Sequence, residues 1–304
     1  MRARRGNAAS ATATPAATAP PADTATPSDT APTPTTPTPE TTPLTWLYAP
    51  GDHPDVVHKA LNCGADVVIV DLEDAVPPER KAYALAATAE LLTSSQPVPV
   101  HVRIHAERDI PALAGLPGLS ALRIPKVTHP TDILGPASLA PGTGLYALLE
   151  SASGVEHAYA IATATPAVHG IALGEADLRA DLGVRDDRGL DWPRSRIVVA
   201  ARAAGLAPPS QSVFPDIRDL DGLAESCAHG RAVGFLGRAA IHPRQLAVIE
   251  RAYLPSPEEV EQAEEIVEAA ETDAGALALP DGRFVDAAVV ATAHRTLSLA
   301  RRGA

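Results

Sequence analysis

Residues 65–74 read ADVVIVDLED, an apolar run that ends in acid. Positions 67–70 are β-branched without interruption, the composition of a short strand buried on both faces. The same unit recurs outward in both directions. TWLYAP (45–50) precedes it, and VPVHVRI (98–104), SALRIPKV (120–127), GLYALLE (144–150), AVHGIALGE (167–175), PSQSVF (209–214) and AVGFLG (232–237) follow. Between these runs lie stretches of helical composition at 54–63, 79–93, 154–164, 194–204, 219–228 and 243–252. Roughly eight strands in β/α alternation predict a (β/α)8 TIM barrel, class α/β. A doubly wound open sheet is the alternative, but it usually has fewer strands, and its GxGxxG fingerprint is absent.

Composition narrows what such a fold can do. Only 3% of residues are aromatic against 45% hydrophobic overall, so the core is built from Ala, Val, Leu and Ile. A formal charge of −12 opposes nucleic-acid binding, which needs a basic surface. No stretch approaches the ~18 consecutive apolar residues of a membrane span. Cys63 and Cys227 are too isolated for a disulfide framework or a zinc site, which makes a reducing, cytoplasmic location the expectation.

The barrel domain is expected over 44–254. Before it, residues 1–43 are dominated by Ala, Thr and Pro and cannot bury enough surface to offset ordering entropy, so a disordered tail is predicted. Arg2, Arg4 and Arg5 open the chain, but no apolar segment follows to make a signal peptide, and prolines and acids argue against a transit peptide. After the barrel, residues 255–304 carry two helical patterns, at 255–271 and 284–302. Their natural use is as a lid or an oligomer contact.

In such barrels the chemistry lies at the C-terminal strand ends. Here those ends carry Asp71, Glu73 and Asp74, then Arg103, Lys126, Glu150, and finally Glu175 and Asp177. Any one of these has an ordinary reading as a helix cap or surface charge. Their convergence on one rim does not. Carboxylates with no His or Cys beside them select a hard cation, and Mg²⁺ fits best because it binds one or two carboxylates and keeps other positions for water and substrate. Arg103 adds a planar fork for a carboxylate or phosphate. The expected substrate is an anionic oxo-acid whose carbonyl the metal polarises, stabilising an enolate.

These residues stand in motifs that resemble the citrate lyase β-subunit-like group within the HpcH/HpaI aldolase superfamily. The motifs run in order: LYAPGDHPDVVHKALNCGADVVIVDLEDAV, VRI, IPKV, LLESASGVEHA, GEADLRADLG and GRAAIHPRQ, over about 45–302. The resemblance implies a Mg²⁺-dependent barrel, usually trimeric, that makes or cleaves 3-hydroxy-acyl thioesters such as malyl-, citramalyl- or citryl-CoA. It implies that Glu150 and Asp177 hold the metal and that Arg103 binds the substrate carboxylate. By the same carry-over Tyr48 and Lys59 lie near the substrate, while Asp71, Glu73 and Asp74 hold metal-bound water. His242 falls where thioester contacts are expected, and Asp286 is the match to an acid/base aspartate that reaches a neighbouring subunit's site.

This chain departs from the pattern at His105, where Asn is usual, at Ala152-Ser153-Gly154, where an arginine is lost, and at Ala288, where Pro is usual. The departures bear on substrate identity and on Asp286, not on the metal pair. His105, His129, His157 and His242 otherwise read as loop or surface histidines. Two other functions stay open: a class II aldolase acting on free pyruvate-type acids, and a carrier-dependent or non-catalytic subunit of a lyase complex.

Overall fold

Parallel strands whose side chains alternate between two buried faces curl into a barrel, and the pairing register decides which residues meet inside it. The computed structural model describes residues 43–272, 277–278 and 282–302. The tail expected over 1–43 lies outside these apart from Pro43. Six strands, β1 (Thr45–Pro50), β2 (Val67–Asp71), β3 (Val100–Arg103), β4 (Leu119–Ile124), β5 (Gly144–Leu149) and β6 (Val168–Leu173), pair in sequence order, and β7 (Arg238–Ala240) pairs on the far side of β1. Every pairing among them is parallel.

The seventh barrel position is held by a single bridge, Gln211 to Arg238. Its neighbour β6 is tied across the seam by the Glu175 backbone N–H, which donates to Ser212 Oγ at 3.3 Å. The eighth strand differs from expectation. The apolar stretch 232–237 finishes a helix and turns at Gly234, whose φ of 107° suits glycine. Phe235 then packs into the core, and the pairing falls to Arg238–Ala240. A strand that begins with arginine is tolerated because Arg238 Nη1 donates to Gln211 Oε1 at 3.1 Å and to Ser226 Oγ at 3.0 Å.

The covering helices are α1 (Pro54–Ala60), α2 (Lys81–Leu91), α3 (Leu134–Leu139), α4 (Ala152–Glu156), α5 (Ala158–Ala162), α6 (Glu175–Leu182), α7 (Asp191–Ala203), α8 (Leu220–Val233) and α9 (Leu246–Tyr253). Outward residues such as Val68, Val70, Val102, Leu122 and Leu149 form the main core with them. Burying each such side chain contributes roughly 1.5–3 kcal/mol. Inward residues form a separate, smaller cluster around Trp46, Val67, Ile69 and Ala239, with Tyr48 and Tyr146 against it.

Beyond the barrel, α10 (Pro257–Thr272) starts from a capping box, with Ser256 N–H on Glu259 Oε2 at 2.8 Å and Glu259 N–H on Ser256 Oγ at 3.2 Å. A short antiparallel pair, β8 (Leu277–Ala278) and β9 (Phe284–Val285), leads to α11 (Ala287–Ala300). The two helices pack on each other, which covers part of Val260, Ile266, Val267, Val289, Val290 and Leu297. They are also tied to the barrel, through Arg231–Glu259 at 2.9 Å and an Arg302–Asp66 ion pair. No helix among the described residues is long and apolar enough to cross a membrane.

Candidate active site

Asp71 ends β2 and Arg103 ends β3, and the two are partners in the ladder. Arg103 Nε and Nη2 donate to the two oxygens of Asp71 at 2.7 and 2.6 Å. Asp71 also accepts from the backbone N–H groups of Glu73 and Ala75, at 2.9 and 3.1 Å. Both its oxygens therefore accept from the chain itself. The fork of Arg103 is likewise committed. Its other end, Nη1, forms ion pairs with Glu73 at 3.1 Å and Asp74 at 3.5 Å. Burial works against the guanidinium's charge, but the hydrogen bond and charge of Asp71, with Glu73, outweigh it and raise its pKa. The Tyr48 ring lies 5.2 Å from this guanidinium and lines the same cavity.

The other rim acids are paired in the same way. Lys126 hydrogen-bonds Glu73 and lies 3.7 Å from Asp74. Its φ of 55° makes it the one non-glycine residue in the left-handed region among those described. Such a backbone costs about 1 kcal/mol or more and persists where surrounding contacts hold it, here the reach to Glu73. Glu175, at the start of α6, is buried and takes two bonds from Arg194, at 2.9 and 2.7 Å. Arg194 continues to Asp187 at 2.6 Å, fastening the loop after α6 to the barrel.

Glu150 and Asp177 are the exceptions. Among the described residues neither has an ion pair or a side-chain hydrogen bond, yet both line one cavity of about 370 Å³. Glu150 follows β5 and is 6% exposed, with Oε2 buried and unpartnered. Its side chain lies over Gly174, where an added Cβ would come within 2.4 Å of Glu150 Cγ, so only glycine leaves room for it. Asp177 is exposed in the first turn of α6. Burial, followed by the like charges of Glu73 and Asp177, pushes the Glu150 carboxyl up to about 8. An orphaned buried carboxylate oxygen beside a second unpaired acid fits a hard divalent cation, and Glu150 and Asp177 are the residues that would hold it. No group of three or more His, Cys, Asp or Glu suited to a metal occurs among the described residues, so a cation here would rely on water or substrate for its remaining ligands.

Glu73, Lys126, Lys59, Asp286 and His242 do not line this cavity. Lys59 is on the exposed face of α1, 80% exposed and 3.6 Å from Asp55. Asp286 caps α11, its Oδ1 accepting from the N–H groups of Ala288 and Val289, both at 2.9 Å, and it does not line the cavity of its own chain. His242 caps a short turn after β7 by accepting from Arg244 N–H at 3.1 Å. The sequence reading missed two buried arginines, Arg194 and Arg123, and gave Lys126 no role beyond its charge. For Arg123 the signal is present in SALRIPKV: an arginine at an inward position of an otherwise apolar strand.

The chain is similar in sequence and fold to known proteins. The HpcH/HpaI aldolase/citrate lyase family description fits residues 44–243, and a description of carbon–carbon bond lyases of the TIM-barrel fold fits residues 197–295. A (3S)-malyl-CoA thioesterase of Cereibacter sphaeroides is 35% identical over 84% of this chain and 93% of its own. A citrate lyase subunit beta-like protein of Mycobacterium tuberculosis is 36% identical over 83% of this chain and 93% of its own. The crystal structure of CitE from that organism, in complex with magnesium, acetoacetate and coenzyme A, superposes with a TM-score of 0.75 at 34% identity, covering 86% of this chain and 99% of that one. The chain belongs to the HpcH/HpaI aldolase/citrate lyase family.

The raised pKa of Glu150 gives a pH dependence of definite sign. A cation needs the carboxylate, so below about 8 it must displace a proton. Mg²⁺ affinity should fall roughly tenfold per pH unit below that value and level off above it. Titration calorimetry at several pH values, in buffers of different ionisation enthalpy, should detect about one proton released per Mg²⁺ at pH 7. Affinity independent of pH between 6 and 9 would mean that Glu150 is not a ligand.

Proposed function

We infer that this protein is a Mg²⁺-dependent carbon–carbon lyase acting on a 3-hydroxy-acyl-CoA thioester. The single observation that carries the reading is the Glu150–Asp177 pair, two acids that among the described residues have no ion-pair partner, in a mouth where the other acids have one. Bound Mg²⁺ would supply a Lewis acid for the oxygen that becomes the oxo-acid carbonyl. Asp71 fixes Arg103, which orients the substrate carboxylate. Cleavage removes the proton from the 3-hydroxyl and breaks the C2–C3 bond. The electron pair passes to C2 as the thioester enolate, and a proton delivered to C2 completes the acyl-CoA. The Tyr48 ring packs against Arg103 at that end of the cavity.

A second reading is supported by the similarity to a malyl-CoA thioesterase: hydrolysis of the thioester to free CoA and a hydroxy-acid. Product analysis separates the two. With malyl-, citramalyl- and citryl-CoA as substrates, the lyase reading expects a carbonyl product, trapped as a hydrazone, in step with acyl-CoA and without stoichiometric free thiol. EDTA, Glu150→Gln or Asp177→Asn should each lower turnover by about a hundredfold or more with the fold retained. Undiminished activity under any of these conditions would overturn the metal-dependent mechanism, and free thiol without carbonyl would favour the thioesterase.

The protein is further proposed to act as a homotrimer in which Asp286 serves a neighbour's site as the acid/base group. Support comes from its position: Asp286 starts a terminal helix, away from the cavity of its own chain, and Phe284 beside it is 63% exposed. Mixing Asp286→Ala and Arg103→Ala proteins after mild dissociation should restore activity above either parent, since some mixed sites regain both groups. A monomer by light scattering, or full activity in Asp286→Ala, would contradict sharing.

A further inference from the structure

Arg123 is 2% exposed on the inward face of β4, and it lines the same cavity as Glu150 and Asp177. Among the described residues its guanidinium has no ion pair and no hydrogen bond, and its Nε is buried without a partner. A buried guanidinium in that condition is costly, because an ion taken out of water without a counter-charge keeps most of its desolvation penalty. Aromatic faces offset part of it. The guanidinium carbon lies 4.8 Å from the Trp46 ring centre and 5.4 Å from that of Tyr146. Those rings, with His101, form a layer across the barrel, with centres 4.7 to 5.9 Å apart. His101 carries no negative charge to answer it; burial, and then Arg123 itself, hold its pKa well below the usual range.

The contrast with the other arginines near the cavity is informative. Arg103 is committed to Asp71, and Arg194 to Glu175 and Asp187. Arg123 stands below that rim with its donors uncommitted, in a cavity large enough for a four-carbon acid. An arginine retained only for packing would gain from an apolar substitute of similar volume. An arginine retained for an anionic ligand has its counter-charge delivered on binding.

We propose that Arg123 receives a second carboxylate on the oxo-acid portion of the substrate, so that the cavity selects dicarboxylic over monocarboxylic oxo-acids. The inference rests on the proposed metal site, because the oxo-acid must first be held at Glu150, Asp177 and Arg103. It narrows the substrate to thioesters whose oxo-acid half carries two carboxylates, one oriented at Arg103 and the other at Arg123. Arg123 then acts as a specificity-determining residue. It takes no part in proton transfer.

The test is titration calorimetry of the full-length protein with Mg²⁺, using oxaloacetate and pyruvate as probes. Wild type should bind oxaloacetate at least about tenfold more tightly than pyruvate. Arg123→Met should weaken oxaloacetate roughly ten- to a hundredfold while leaving pyruvate within about twofold, and Arg123→Lys should recover part of the loss by keeping charge without the fork. Equal affinities in wild type, or an equal loss of both acids in the variants, would overturn the proposal. Should Arg123→Met not fold, the wild-type comparison and Arg123→Lys still decide the matter. Failure of selectivity is distinct from failure of the metal site: the first leaves both acids binding equally and in need of Mg²⁺, the second leaves neither bound and overturns both.

Discussion

Carboxylates crowded at the mouth of a barrel repel one another and lose hydration, and the rim of this protein is arranged around that cost. Arg103 answers Asp71, Lys126 answers Glu73 and Arg194 answers Glu175. The first of these pairs follows from the parallel register, which sets the ends of β2 and β3 side by side and inward. Among the described residues Glu150 and Asp177 are left without such partners, and the burial that isolates Glu150 also raises its proton affinity. A rim that pairs its other acids and leaves these two would suit a cation from outside the chain, which is the reading proposed above.

Much of the fold is legible in the sequence because parallel strands buried on both faces carry an unbroken apolar signal, and six of them fall within a few residues of the runs read from composition. The last quarter of the barrel is not legible in this way. Ser210, Gln211 and Ser212 pair at one position only, and Arg238 looks unlike a buried strand until Gln211 and Ser226 are seen to satisfy it. The run 232–237 misleads because apolar residues after a glycine turn can pack on a core without pairing.

The candidate site was legible as a set of strand ends, not as a network. Sequence position brings Asp71, Arg103, Glu150 and Asp177 to one rim, but whether an acid faces a cation or solvent depends on pairing across strands. That is why Asp71 belongs to Arg103. The motif around Lys59 suggests a place near the substrate, whereas the turn of α1 puts it on the outer face. Arg123 went unnoticed because a single charge in an apolar strand carries no periodic signal, and its meaning appears only when nothing is found to neutralise it.

The central claim is that Glu150 and Asp177 together hold the metal. Crystals grown with Mn²⁺ in place of Mg²⁺ and measured at a wavelength where manganese scatters anomalously test it without reference to turnover. The account predicts one strong anomalous peak in the cavity, within about 2.0–2.3 Å of a carboxylate oxygen from each residue. A peak bound elsewhere, or none while both carboxylates pair with side chains of the protein, would contradict it.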